Sequence, residues 1–149
     1  MQDKGNYMEL SFPSYSENES FARVVAASFA AQLNPTIEEL EDVKTAVSEA
    51  VTNAVIHGYE QEIGVVRMRL WIEADVLFIQ VEDTGKGIED IERAMEPMYT
   101  SKPEMERSGL GFTVMESFTD GLEVKTHVGR GTTVTMHKRL GVQPDGAEN

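Results

Sequence analysis

The feature that most restricts the fold is a stripe of apolar residues: Ile37, Leu40, Val43, Val47, Ala50, Val51 and Ala54. They recur every three or four positions and therefore share one side of a helix of about five turns. Thr36 and Glu39 have the spacing of a capping box, with Pro35 just outside it. Glu38, Glu39, Glu41 and Asp42 crowd the first turns, where the helix dipole favours negative charge. This helix is expected to run to about His57 and to stop at Gly58. A face so apolar must be covered by another layer.

That layer is expected from strands. Residues 65–72 and 76–82 read as two strands joined by a turn at 73–75, hence antiparallel neighbours. Residues 7–12 alternate apolar and polar and end at Pro13. Residues 122–127 and 132–136 supply two more strands, joined by Val128-Gly129-Arg130-Gly131. Phe21, Val24, Val25, Ser28, Phe29 and Leu33 have helical spacing, so residues 18–33 form a first helix with Phe21 and Val24 toward the core. A short helix over 88–94 and another over 111–118 complete the set. Residues 95–110 carry two prolines and no regular period, the pattern of a functional loop. The expected architecture is an α/β two-layer sandwich, with one mixed, largely antiparallel sheet and helices on one face. Residues 1–140 would form one domain and 141–149 a polar tail.

Composition narrows the functional classes. The 149 residues include 26 Asp plus Glu against 13 Lys plus Arg, a formal net charge of −13. Such a surface repels phosphate backbones, which argues against direct nucleic-acid binding and suits a protein partner with basic patches. The absence of cysteine removes disulfides and thiolate metal sites. No apolar run approaches the length of a membrane span, and the first residues lack the pattern of a secretory signal. A cytoplasmic protein without membrane attachment is expected.

Three clusters carry candidate chemistry. Glu49, Asn53 and His57 follow at intervals of four on the long helix, beside its apolar face. A carboxylate and a carboxamide there suit a magnesium–phosphate site, though the spacing alone favours a solvated helix face. Asp83-Thr84-Gly85-Lys86-Gly87 follows a strongly apolar strand. Its glycines permit close approach of a ligand, and the aspartate can accept a hydrogen bond from a base amino group. An ordinary turn would read the same way. Arg107-Ser108-Gly109-Leu110-Gly111 can present backbone N–H groups to phosphate, with Lys102 and Arg107 as cations in the same segment. His57, His127 and His137 show no zinc spacing.

Taken in order, Glu49-x-x-x-Asn53, Asp83-x-Gly85-x-Gly87, Gly109-x-Gly111 and Gly131-Thr132 resemble the motifs of the ATPase superfamily of histidine kinases, DNA gyrase, Hsp90 chaperones and MutL. Segments 18–23, 48–54, 57–59 and 100–103 make the chain more similar to the anti-sigma serine kinases of spore-forming bacteria, the sporulation branch more than the stress-response branch. The resemblance covers residues 7–140. It implies a Bergerat-type ATP-binding fold, with ATP and Mg2+ as cofactors. It also implies Glu49 as general base, Asn53 as magnesium ligand, Asp83 on the adenine amino group, and Gly85 and Gly87 around the base. Residues 95–108 would be an ATP lid, with Lys102 or Arg107 near the terminal phosphate and Gly109 and Gly111 beside the phosphates. Thr133 would lie at the adenine end, and Arg23 would meet protein partners. Those partners would be a sigma factor of the sporulation sigma F type, held inactive, and an anti-anti-sigma protein phosphorylated on serine. A homodimer through the amino-terminal strand is implied as well. A non-catalytic, ATP-dependent sigma-sequestering module is the alternative.

Overall fold

The computed structural model describes residues 5–58, 62–88, 95 and 111–141. The expected 88–94 helix, most of the 95–110 loop and the tail beyond Gly141 lie outside the described residues. Strand β1 (Tyr7–Pro13) leads to helix α1 (Asn18–Ala30), which tightens into a single 3-10 turn, Ala31–Leu33. Helix α2 (Ile37–Asn53) follows, and it widens into a π turn over Ala54–Gly58. Then come β2 (Val65–Glu73), β3 (Val76–Asp83), α3 (Gly111–Ser117), β4 (Gly121–His127) and β5 (Gly131–Arg139).

The capping box at α2 forms as the spacing predicts. Thr36 Oγ1 accepts from the Glu39 N–H at 3.0 Å, and Glu39 Oε1 accepts from the Thr36 N–H at 2.9 Å. Asn34 turns the chain into position with φ of 53°, a left-handed conformation that asparagine tolerates. The same Glu39 oxygen also accepts from the Gly141 N–H at 3.1 Å, which ties the end of β5 to the start of α2. Lys138 and Asp42, both mostly buried, form an ion pair at 3.5 Å across the same seam.

The five strands lie in the order β1-β2-β3-β5-β4. All four pairings among the described strands are antiparallel, so the parallel component of the expected mixed sheet is not seen there. Side chains alternate faces. Val66, Met68, Leu70, Leu77, Ile79, Val81, Val134 and Met136 are buried on the helix side, where they meet Val43, Val47, Ala50 and Val51 of α2. Helix α2 lies between α1 and α3. The other sheet face carries cross-strand ion pairs, Arg69 with Glu9 and Arg67 with Glu82, and a stack of Trp71 on Phe78 with ring centres 5.2 Å apart.

Helix α1 corrects one expectation. Its buried face is Ala22, Ala26 and Ala30, whereas Phe21 and Val24 are exposed. The alanines recur every four residues and let α1 approach α2 closely. Val25, Phe29 and Leu33 pack at the margin of the core. The large apolar residues suggested the wrong side of the helix because small residues fill a close helix–helix contact best.

Candidate nucleotide site

Asp83 is the last residue of β3 and is only 5% exposed. Period-2 alternation aims it at the helix side, in one rank with Phe12 of β1, Val66 of β2, and Thr132 and Thr126 of the far strands. Its Oδ1 accepts from the Gly85 N–H at 2.9 Å, and the Thr132 backbone N–H also donates to the carboxylate. Burial raises the Asp83 pKa above the ordinary carboxylate value, the nearby Glu82 charge adds to this, and the two backbone donors offset only part of it. The site therefore holds a desolvated acceptor to which an incoming N–H donor would be welcome.

The glycines explain how the chain closes around it. Gly87 has φ of +79°, and a Cβ there would run into the His127 carbonyl. Gly131 has φ of +111°, and a Cβ there would strike the backbone of Asp83. Both positions need glycine for conformation and for space. The 84–88 turn is stitched to the β4–β5 hairpin: the Gly129 N–H donates to the Lys86 carbonyl at 2.7 Å, and the Ile88 N–H donates to Thr126 Oγ1 at 2.9 Å. Thr126 Oγ1 also lies 2.9 Å from Thr132 Oγ1, so two hydroxyls and a carboxylate line one end of the sheet.

Thr133 does not belong to that group. It pairs with Glu82 and Lys125 and points to the opposite face of β5. The threonine beside Asp83 is Thr132, buried to 5% exposure. Counting by twos back from Val134 and Met136 would have found it in the sequence. The role of Thr126 could have been read in the same way, from Val124 and Leu122.

Glu49 and Asn53 are half-buried, one turn apart near the end of α2. The π turn after Asn53 packs on β3 and β5, the strands that carry Asp83 and Thr132. It also changes the helical phase after Asn53, and the side chain of His57 lies outside the described residues. A carboxylate and a carboxamide at this depth are oxygen donors of the kind a hard cation prefers. Gly111 is the first residue of α3, which packs on α2. Lys102, Arg107 and Gly109 lie outside the described residues. Arg23 stands apart on α1, with Nε 3.7 Å from Glu19 Oε2, and its side chain is 41% exposed.

The arrangement matches known proteins. Residues 12–138 match the histidine kinase-like ATPase domain family. The chain is 59% identical over 136 residues to the anti-sigma F factor of Thermoanaerobacter sp. (strain X514), covering 91% of this chain and 95% of that one. It is 59% identical over 140 residues to the anti-sigma F factor of Clostridium acetobutylicum, covering 94% and 98%. Among solved structures, the RsbU and RsbW domains of Rv1364c from Mycobacterium tuberculosis superpose with a TM-score of 0.66 at 18% identity, covering 91% of this chain and 32% of that one. That likeness concerns the fold. Profile, relatives and geometry agree: the chain belongs to the histidine kinase-like ATPase domain family, in the branch that holds the anti-sigma F factors.

Proposed function

We propose that the chain is an ATP-dependent protein serine kinase that also acts as an anti-sigma factor. In its ATP-bound form it would hold a sporulation sigma factor of the sigma F type inactive, and it would phosphorylate a serine of an anti-anti-sigma protein. The observation that carries this reading is the buried Asp83 carboxylate. It is held by the Gly85 and Thr132 N–H groups and kept above its ordinary pKa by burial. It suits the amino group of adenine. Gly85 and Gly87 shape the pocket around the base, and Thr132 takes the place expected of Thr133.

The chemistry is positioning and charge control. Asn53 would hold the magnesium ion, which neutralises charge on the phosphates. Glu49 accepts the proton of the substrate serine as its oxygen bonds to the γ-phosphorus. The bond from that phosphorus to the bridging oxygen breaks, and ADP leaves. Lys102 and Arg107 are the candidate cations for the terminal phosphate, and Gly109 and Gly111 the candidate backbone donors.

Arg23 is the proposed contact for both protein partners, which would then exclude one another. The outer edge of β1 is the proposed seam of a homodimer, since among the described strands β1 pairs on one side only. A cytoplasmic setting is proposed along with that role; among the described residues no helix is long and apolar enough to cross a membrane.

The deciding experiment incubates the purified chain with labelled ATP, magnesium and an anti-anti-sigma protein. Label on a substrate serine supports the kinase. ATP-dependent sigma binding with no transfer would leave a sequestering module.

A further inference from the structure

We propose that Ser48 and Glu19 form a positioning pair that presents Arg23 to an acidic partner. The proposal rests on the reading of Arg23 as a partner contact. Ser48 Oγ, on α2, donates to Glu19 Oε2, on α1. The same carboxylate oxygen lies 3.7 Å from Arg23 Nε. One oxygen therefore meets a hydroxyl from the helix of the nucleotide site and a guanidinium from the helix of the partner surface.

The burial gradient fits a relay. Ser48 is half-buried between the helices, Glu19 is 21% exposed and Arg23 is 41% exposed. An i,i+4 ion pair this open to water holds little by itself. A hydroxyl from a second helix removes freedom that the ion pair alone would leave to the carboxylate. Serine within a helix can bond its own preceding turn, so turning to Glu19 is one of two local choices. Among the described residues Glu19 is the one ion-pair partner of Arg23, and it engages Nε. The two terminal nitrogens remain to fork onto a partner carboxylate, and a guanidinium already pinned loses less freedom on binding.

The test uses Ser48→Ala, Ser48→Thr, Arg23→Ala and the double variant Ser48→Ala/Arg23→Ala in the full chain. Affinity is measured for a purified sigma F-type factor and, separately, for Mg-ATP. Ser48→Ala is expected to weaken sigma binding about three- to tenfold, the scale of one immobilised side chain, with Mg-ATP affinity unchanged. Ser48→Thr should restore most of the loss. The double variant should bind no worse than Arg23→Ala alone, because Ser48 acts only through Arg23. Native-like sigma binding by Ser48→Ala beside a weakened Arg23→Ala overturns the positioning pair and leaves the partner surface standing. Additive losses in the double variant overturn it too. Native-like binding by Arg23→Ala would show that the partner surface itself is misplaced, and the proposal would fall with it.

Discussion

Thr132 stands opposite Asp83 across the β3–β5 ladder and gives its backbone N–H to the Asp83 carboxylate. Its own hydroxyl turns to Thr126. The pocket floor is therefore built by pairing between strands. The first consequence concerns the two adjacent threonines. Thr132→Val is expected to remove one of three contacts of the Thr126 hydroxyl, which keeps the Ile88 N–H and the Gly131 carbonyl, at a cost of about 0.5–1.5 kcal/mol in stability, and to weaken ATP binding. Thr133→Val, on the outer face, should change either by less than about 0.5 kcal/mol. Thermal unfolding and nucleotide titration of both variants check the assignment. Equal effects would contradict it.

Asp83 should make nucleotide binding depend on pH. Its pKa in the free protein is raised by burial, while an adenine amino group favours the ionised form. ATP affinity is therefore full above the raised pKa and falls as pH drops through it, with release of a proton on binding near that midpoint. Asp83→Asn should flatten this dependence and weaken ATP by about 1.5–3 kcal/mol, the scale of a hydrogen bond to a charged group. GTP should bind more weakly than ATP, because guanine presents a carbonyl where adenine presents its amino group. Calorimetric titrations with both nucleotides across pH supply the readout.

Glu49→Gln should separate binding from chemistry. The variant is expected to keep Mg-ATP and sigma affinity and to lose phosphate transfer by about 10²- to 10⁴-fold, the usual reach of a general base. Single-turnover transfer to the anti-anti-sigma protein measures it. Undiminished transfer would remove Glu49 from the mechanism.

Glu39 is expected to matter more than its acidic neighbours. It closes the capping box and also receives the Gly141 N–H, whereas Glu38 is exposed at the same helix start. Glu39→Ala should cost about 1–2 kcal/mol and Glu38→Ala a few tenths. Chemical denaturation of the two variants side by side tests this.

Much of this was legible in the sequence because local rules agreed with one another. The capping box at Thr36, the stripe from Ile37 to Ala54 and the paired runs of β2 and β3 each predicted its element to within a residue or two at most ends. The errors arose where the deciding partner was distant. The core side of α1 was misread because Phe21 and Val24 outweigh alanine on any hydrophobicity scale, while close contact with α2 selects Ala22, Ala26 and Ala30. That Thr132, and not Thr133, shares the face of Asp83 follows from strand parity, which the motif does not carry. The step from α to π geometry after Asn53 has no local signal in Ala54-Val55-Ile56. The bond from Ser48 to Glu19 joins residues 29 apart, beyond any periodicity.

The strand order has a consequence in time. Strand β5 lies between β3 and β4, yet it is the last of the five to be synthesised. Until it leaves the ribosome, β3 has an open edge, β4 lacks its pairing partner, and the carboxylate of Asp83 has no Thr132 beside it. The start of α2 likewise waits for Gly141, 102 residues after Glu39. A nascent chain can close its first hairpin early, but a product truncated before residue 131 would lack the interior of its own sheet. Nucleotide binding should therefore arrive in one late step, once β5 is free to pair.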